Sequence, residues 1–424
     1  MSSKTVALHT LGCKLNYSET SSISRLMENE GFIEKPFDEV ADVYIINTCS
    51  VTANADKECR QLVRRLQKNA PESLVVITGC YAQLKPDEVA GIDGVDLVLG
   101  AAEKFNIIQH LKDITKGDST KICSCDIEDV KDFNSSYSLN SRTRTFLKVQ
   151  DGCDYSCSFC TIPLARGKSR SNPIENVVKD VREIASKGVQ EIVLTGINLG
   201  DYGKFHTDPI SSNADSTFLS LLKHLEKEPI KRFRISSIEP NLLTKDIIKL
   251  VAGSNNIMPH FHIPLQSGSN KILRLMRRRY QKELYKEKIE NIKSLMPHCS
   301  IGVDVITGFP GETEDDFLET YEFLQNLDIS YLHVFTYSER IQTSALNITP
   351  IVPVNIRHSR TRKLRTLSFI KQQAFTNQHI GTTRKVLFES KNKNNMMEGY
   401  TDNYIKISIP FNEAFENSIV DWTI

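Results

Sequence analysis

Ten cysteines stand in this chain of 424 residues, and six of them fall into two groups of three. Cys153, Cys157 and Cys160 lie close together in GCDYSCSFCTIP, spaced x3 and then x2. Three thiolates so arranged can grip three corners of an iron–sulfur cubane, sulfur being a preferred ligand for such iron. The fourth iron then has no protein ligand and stays open to a substrate. A structural zinc site instead wants a fourth Cys or His at short spacing, and His206 lies too far along the chain to close one that way.

The second group emerges only when strands are laid side by side. Cys13 follows VALHTLG, Cys49 follows YIINT and Cys80 follows VVITG. Each stands at the carboxyl end of an expected parallel strand, the edge of an open α/β sheet where ligands bind. Singly, each thiol fits a buried core position, a common place for cysteine. Three in one topological place imply a second cluster with a bare iron. Of the remaining four, Cys59 in a helical stretch and Cys299 beside a strand are assigned to core packing. Cys123-x-Cys125 has a spacing that can bind metal and is read as an exposed incidental pair.

Polar and glycine-rich loops end the strands after Cys153. They are TGINLGDYG from Thr195, SSIEP from Ser236, HIPLQSG from His262 and DVITGFPGET from Asp304. The glycine spacing of the first is not the G-x-G-x-x-G of dinucleotide sites, yet glycine permits close backbone approach to a small polar cofactor. The cofactor contacts expected on these ends are Gly196, Asn198, Ser236, Glu239, Gln266 and Asp304. No catalytic residue is assigned beyond the clusters.

The elements that must position these groups form an α/β protein in several parts. Residues 1–115 alternate short apolar strands with helical patterns, which predicts a parallel, covered sheet. Residues 116–143 are polar and Ser/Asp-rich, and read as a linker. Residues 144–340 carry six strand–helix units, TFLKVQ through YLHVFTY, with one long helix expected from Lys271 to Ser294; this predicts a partial (β/α)6 barrel with a lateral opening. Residues 341–380 form a basic helical connection, and 381–424 a small antiparallel domain turning around EGY. Lys+Arg 53 against Asp+Glu 52 leaves a net charge of +1, so bulk charge selects no partner. The distribution is uneven. From Arg340 to Phe388 there is no acidic residue, and nine Lys or Arg make that stretch +9, a footprint for a polyanion; a solvated helix face is the plain alternative. With 40% hydrophobic and 25% charged residues, no apolar run near 18 residues and no secretion-signal pattern, the chain is expected to be cytoplasmic.

At GCDYSCSFC the sequence resembles the radical S-adenosylmethionine (SAM) superfamily. Cys13, Cys49 and Cys80, together with RGKSRS, RISSIEP, HIPLQSGS, ITGFPGET and the β-rich tail, make it similar to the methylthiotransferases within it, across essentially the whole chain. The resemblance implies two 4Fe-4S clusters, an auxiliary one on Cys13, Cys49 and Cys80 and a radical one on Cys153, Cys157 and Cys160. It also implies SAM as both methyl donor and radical source, and a C-terminal TRAM-like domain that binds RNA. TLGCKLN and NTCSVT resemble the branch acting on N6-threonylcarbamoyladenosine beside the tRNA anticodon; the isopentenyladenosine branch has Gln-Met-Asn where this chain has Lys14-Leu15-Asn16. A third branch modifies a ribosomal-protein aspartate. A non-enzymatic iron–sulfur RNA-binding sensor is the rival from another class. The implied partners are a tRNA anticodon stem-loop and a small electron donor such as flavodoxin or ferredoxin. Expected RNA contacts are Arg357, Arg360, Arg362, Lys363, Arg365, Tyr400 and Tyr404, with Arg277, Arg278 and Arg279 extending the basic track.

Overall fold

The structure, a computed structural model, describes residues 4–50, 53–139, 143–203, 216–391 and 394–424. His206 and the Val51–Thr52 pair lie outside them. The N-terminal strands are β1 (Thr5–Thr10), β2 (Ile33–Glu34), β3 (Val43–Thr48), β4 (Leu74–Gly79), β5 (Leu97–Leu99) and β6 (Lys121–Cys123). They form one parallel sheet in the order β2-β1-β3-β4-β5-β6. Every residue of β3 (VYIINT) is buried, as a strand covered on both faces requires. Ile23 and Met27 of α1 (Lys14–Asn29) pack on one face, and Cys59, Val63 and Leu66 of α2 (Ala53–Asn69) on the other. Short helices α3 (Cys80–Leu84), α4 (Pro86–Ala90) and α5 (Ile107–Leu111) complete the layer.

The expected linker is partly built into both neighbours. Its β6 extends the N-terminal sheet, and β7 (Ser136–Tyr137) pairs antiparallel with β8 (Arg144–Lys148), the first barrel strand. After the short pair β9 (Gln150–Asp151) and β10 (Arg170–Ser171) come β11 (Glu191–Thr195), β12 (Arg232–Ile235), β13 (His260–His262), β14 (Ser300–Thr307) and β15 (Tyr331–Thr336). β8, β11 and β12 pair in parallel, as do β13, β14 and β15. The parallel bridges Phe233–Ile257 and Ser237–His262 join the two sets. Six parallel strands thus curve in sequence order, as the six βα units predict.

Helices α6 (Ile162–Arg166), α7 (Ile174–Ser186), α8 (Phe218–Leu225), α9 (Lys245–Gly253), α10 (Asn270–Leu275), α11 (Lys282–Leu295) and α12 (Glu314–Asn326) connect them. Alternation sorts the strand side chains. Ile192, Leu194, Phe233, Ile235, Phe261, Ile301 and Val303 join the large apolar core with the helices. Their neighbours in sequence, among them Arg144, Glu191, Arg232, Arg234, His260, His262, Asp304 and His333, therefore face the lumen. The single helix expected over Lys271–Ser294 is two, broken around Arg277, which takes a left-handed φ of 58°.

The basic helix is α13 (Val354–Asn377). The C-terminal sheet comprises β16 (Thr383–Lys391), β17 (Met396–Thr401), β18 (Lys406–Pro410) and β19 (Ile419–Thr423), all antiparallel in the order β18-β17-β16-β19. EGY is not its turn. Those residues lie inside β17, where a Cβ on Gly399 would come within 2.7 Å of Val386 and Phe388, so glycine there serves strand packing. Among the described residues no helix is long and apolar enough to cross a membrane.

Candidate active site between two cysteine trios

Cys13, Cys49 and Cys80 converge as the strand order requires. β1 pairs with β3 through Thr10–Asn47, and β3 with β4 through Thr48–Gly79, so the residues that follow share one sheet edge. Gly12 and Gly79 make the close approach possible. Both have positive φ (114° and 95°), and a Cβ on Gly12 would sit 2.5 Å from the Cβ of Cys49. Buried Asn16 ties the edge together. Its Nδ2 donates to the carbonyls of Leu11 (3.1 Å) and Thr48 (2.8 Å), and its Oδ1 accepts the Cys13 thiol at 3.4 Å. Cys13 is exposed, while Cys49 and Cys80 are buried; burial raises the Cys80 pKa.

Cys153, Cys157 and Cys160 occupy the loop between β9 and α6. Gly152, at φ 71°, starts it where a side chain would strike the Lys168 carbonyl. The amides of Tyr155 and Ile162 donate to the sulfurs of Cys153 and Cys160, each at 3.4 Å, and Arg278 donates to the Cys157 sulfur at 3.1 Å. Burial pushes Cys153 and Cys160 up to about 12 and raises Cys157, against the lowering influence of Arg278. The protonated thiols must therefore release protons to bind metal. Among the described residues, neither trio brings its three sulfurs as close together as the ligand atoms of His262, Asp304 and His333 lie. One tetrahedral zinc, with bonds of about 2.3 Å, would draw its sulfurs closer than that. The donor sets fit clusters.

The six expected cofactor contacts divide. The buried Asn198 Nδ2 and Ser236 Oγ have no partner among the described residues; burying such atoms costs free energy that a polar ligand offsets. They fit the polar groups of SAM. Glu239 pairs with Arg278, linking this strand end to Cys157. Gly196 is accounted for by packing, since a Cβ would meet the Gln150 Oε1 at 2.8 Å, and that oxygen accepts the amides of Ile197 and Asn198. Gln266, at φ 70°, and Asp304 line a cavity of about 280 Å³ with Cys160, Thr336 and Tyr337. Asp304 accepts from His262 Nε2 at 2.8 Å. A larger cleft, about 920 Å³, lies between the barrel's far end and the C-terminal sheet, beside Met258, His298 and Asp402, with no cysteine in its lining.

Two groups take roles that the sequence analysis did not assign. A buried charge lattice joins the domains: Glu19 of α1 accepts from Lys104 (2.7 Å), Lys148 (3.1 Å) and Arg166 (3.1 Å), while Asp151 meets Arg166 at 2.9 Å and Lys148 at 3.3 Å. Arg166 also donates to Asn16 Oδ1 at 2.7 Å, which couples RGKSRS to the Cys13 edge. The other is Arg278, placed by the helix break against Cys157 and Glu239 rather than on a surface track; Arg279 stacks over Tyr155 at 4.0 Å. Only the position of RGKSRS near a cysteine loop hinted at the first, and the sequence marked Arg278 only as part of a basic track.

The basic footprint is smaller than its charge suggests. Arg357 and Arg360 are buried, paired with Glu339 at 2.5 Å and with Glu312 and Glu314 at 2.6 and 2.9 Å, so neither is free for phosphate. Arg340 is buried on Asp56, and Arg384 pairs with Asp402. Arg362, Lys363 and Arg365 do face solvent. Tyr400 and Tyr404 stack on each other at 4.9 Å, against Arg144 and Arg234 from the lumen and His260. They close the barrel's far mouth instead of presenting free faces to RNA. Cys59 and Cys299 are buried core thiols, as expected, both pushed up to about 12 by burial. Cys123 lies on edge strand β6 with its sulfur 3.5 Å from His110, and Cys125 is exposed.

An open parallel barrel that carries three cysteines between its first strand and first helix defines a radical SAM enzyme, and residues 147–324 match the Radical SAM superfamily. Residues 5–100 match a family described as Uncharacterized protein family UPF0004. The chain is 38% identical to the threonylcarbamoyladenosine tRNA methylthiotransferase MtaB of Bacillus subtilis, over 98% of this chain and 92% of that protein. It is 31% identical to the tRNA-2-methylthio-N(6)-dimethylallyladenosine synthase of Clostridium botulinum, over 93% and 88% respectively. In fold it resembles the radical SAM methyltransferase TsrM from Kitasatospora setae, with TM-score 0.55, 14% identity and coverage of 78% of this chain and 73% of that one. The chain belongs to the radical SAM tRNA methylthiotransferases, transferases that use SAM and 4Fe-4S clusters.

Proposed function

We propose that the protein methylthiolates C2 of N6-threonylcarbamoyladenosine beside the anticodon of tRNA, using one SAM as methyl donor and another as radical source. The observation that carries this reading is the placement of two open cysteine trios, on different domains, locked across one buried charge lattice. Cys153, Cys157 and Cys160 would hold the cluster whose chemistry is electron supply for SAM cleavage, and Cys13, Cys49 and Cys80 would hold the one whose chemistry is sulfur donation. The chain's own part is placement. Asn198 and Ser236 offer buried polar atoms to SAM, and Arg278 fixes Glu239 relative to Cys157. The lattice sets the distance from the Cys13 edge to the barrel. Exposed Arg362, Lys363 and Arg365 contribute phosphate contacts, with the C-terminal sheet as the RNA-binding part. A small electron donor such as flavodoxin or ferredoxin serves the enzyme in the cytoplasm.

Mass spectrometry of tRNA nucleosides from cells with and without the gene tests the substrate. Loss of the methylthio-threonylcarbamoyladenosine peak is expected. Persistence of that peak with loss of a methylthio-isopentenyl product, or of a ribosomal-protein modification, overturns the assignment. In vitro, Cys157→Ala abolishes reductive SAM cleavage, whereas Cys49→Ala retains it and loses sulfur transfer; equal loss in two folded variants refutes the division of labour. A sensor would release no 5′-deoxyadenosine from SAM and dithionite.

A further inference from the structure

Lys14 follows Cys13 directly and is the first residue of α1. Its ammonium lies 5.9 Å from the ring centroid of Phe146, on the lumen face of β8, with Tyr404, Arg144, Arg234 and Asp304 as electrostatic neighbours. Lys14 is exposed, and the charges around it do not favour a cation. The amino end of a helix carries the positive end of its dipole, and two arginines stand nearby. Other lumen cations are matched: Arg234 to Glu191 at 3.0 Å, Arg144 to Glu389 at 2.8 Å, and Lys148 to Glu19 at 3.1 Å. Asp304, the lumen carboxylate facing Lys14, is held by His262. Among the described residues Lys14 has neither an ion pair nor a hydrogen bond.

We infer that Lys14 reads the carboxylate of the substrate's N6 group, so that one positive charge beside Cys13 selects an anionic threonylcarbamoyl substituent over an apolar isopentenyl one. This rests on the substrate reading of the preceding section. The chemistry of adenine supports the placement. N6 and C2 both flank N1 on one edge of the base, so a group reading the N6 side chain belongs next to the cysteines that serve C2. Lys14 and Cys13 are consecutive. A carboxylate placed there would also complement the positive end of α1.

The test uses full-length, anaerobically reconstituted protein and three anticodon stem-loop RNAs, identical except for an N6 threonylcarbamoyl group, its neutral methyl ester, or an isopentenyl group. Fluorescence anisotropy gives dissociation constants, and iron analysis reports whether the Cys13 site is intact. Wild type is expected to bind the acid about 10- to 100-fold more tightly than the ester, the value of one charged hydrogen bond. Lys14→Met should bring that ratio to within about twofold of one, and Lys14→Arg should keep most of it. A wild-type ratio near one, or a full ratio in Lys14→Met with normal iron, overturns the inference. Should Lys14→Met lose iron, the wild-type acid-to-ester ratio and its retention in Lys14→Arg decide alone. Wild type that methylthiolates the isopentenyl loop and not the threonylcarbamoyl loop overturns the substrate reading instead.

Discussion

Glu19 is fully buried among three cations, and its replacement gives the most demanding test of how the two cluster domains are joined. The lattice holds Lys104, Lys148 and Arg166 against Glu19 and Asp151, three positive charges to two negative. Glu19→Gln leaves three cations facing one carboxylate. Removing one partner of a buried pair costs about 3–5 kcal/mol, and the doubled excess places this variant near 5. Arg166→Met leaves two cations and two carboxylates, a balanced set, so its cost lies near 3 despite the lost bond to Asn16. The double variant holds two cations and one carboxylate, the same excess of one as the native lattice. Its cost should fall short of the sum of the singles by about 2–3 kcal/mol, within the range of coupling for contacting residues. Urea unfolding followed by far-UV circular dichroism measures all four corners of the cycle. Strict additivity would refute the charge-balance argument. The acid side gives an independent check. The surrounding cations hold the Glu19 and Asp151 carboxyls well below their ordinary range, against burial that opposes ionisation. Their contribution is therefore present above the unfolded pKa of about 4 and lost as pH falls through the lower folded values. Glu19→Gln should flatten that acid slope.

Three further outcomes are expected. Alanine at Arg362, Lys363 and Arg365 together should weaken tRNA binding and reduce its salt slope by about two to three, whereas Arg360→Ala, which breaks a buried pair with Glu312, should cost about 3 kcal/mol of stability with little change in that slope; filter binding across a salt series and urea unfolding separate them. In the folded protein at pH 8, iodoacetamide should label exposed Cys125 and spare Cys59 and Cys299, whose thiols stay protonated up to about 12, until denaturant is added; peptide mass spectrometry reads this out. Gly12→Ala drives a Cβ to 2.5 Å from Cys49 at a φ of 114°, so reconstituted iron should fall from about eight to about four per chain while SAM cleavage persists.

Period and spacing made the two trios and six barrel strands legible, because each follows from local pattern. What stayed hidden depended on distant partners. The +9 stretch has no acidic residue of its own, yet Glu312, Glu314 and Glu339 from outside it neutralise Arg357 and Arg360. Counting charge along a chain cannot see that pairing. Arg277 adopts φ 58° without being glycine, so nothing local announced the break that aims Arg278 at Cys157. Within the linker, Lys121–Cys123 is too short for a strand signal and becomes one by pairing with β5. EGY misled for the opposite reason, since a glycine in a strand can answer a packing demand as well as a turn.

The lumen explains why the C-terminal sheet sits where it does. A parallel barrel usually fills its interior with apolar side chains; this one carries Arg144, Glu191, Arg232 and Arg234 on its inner face. Glu191, with one carboxylate, satisfies only part of three guanidinium groups. The rest of their donors go to the C-terminal sheet: Arg232 to the carbonyls of Lys385 (2.6 Å) and Tyr400 (3.1 Å), and Arg234 to those of Thr401 (3.3 Å) and Asp402 (3.1 Å). Asn403 adds a bond to the His298 carbonyl at 3.0 Å. Buried guanidinium groups left unpaired would be strongly destabilising, so the barrel's polar interior requires the sheet as its stopper. The C-terminal sheet is in this sense the floor of the chamber, and Tyr404, packed against His260 and Arg234 and an electrostatic neighbour of Lys14, belongs to the chamber's wall more than to an independent module.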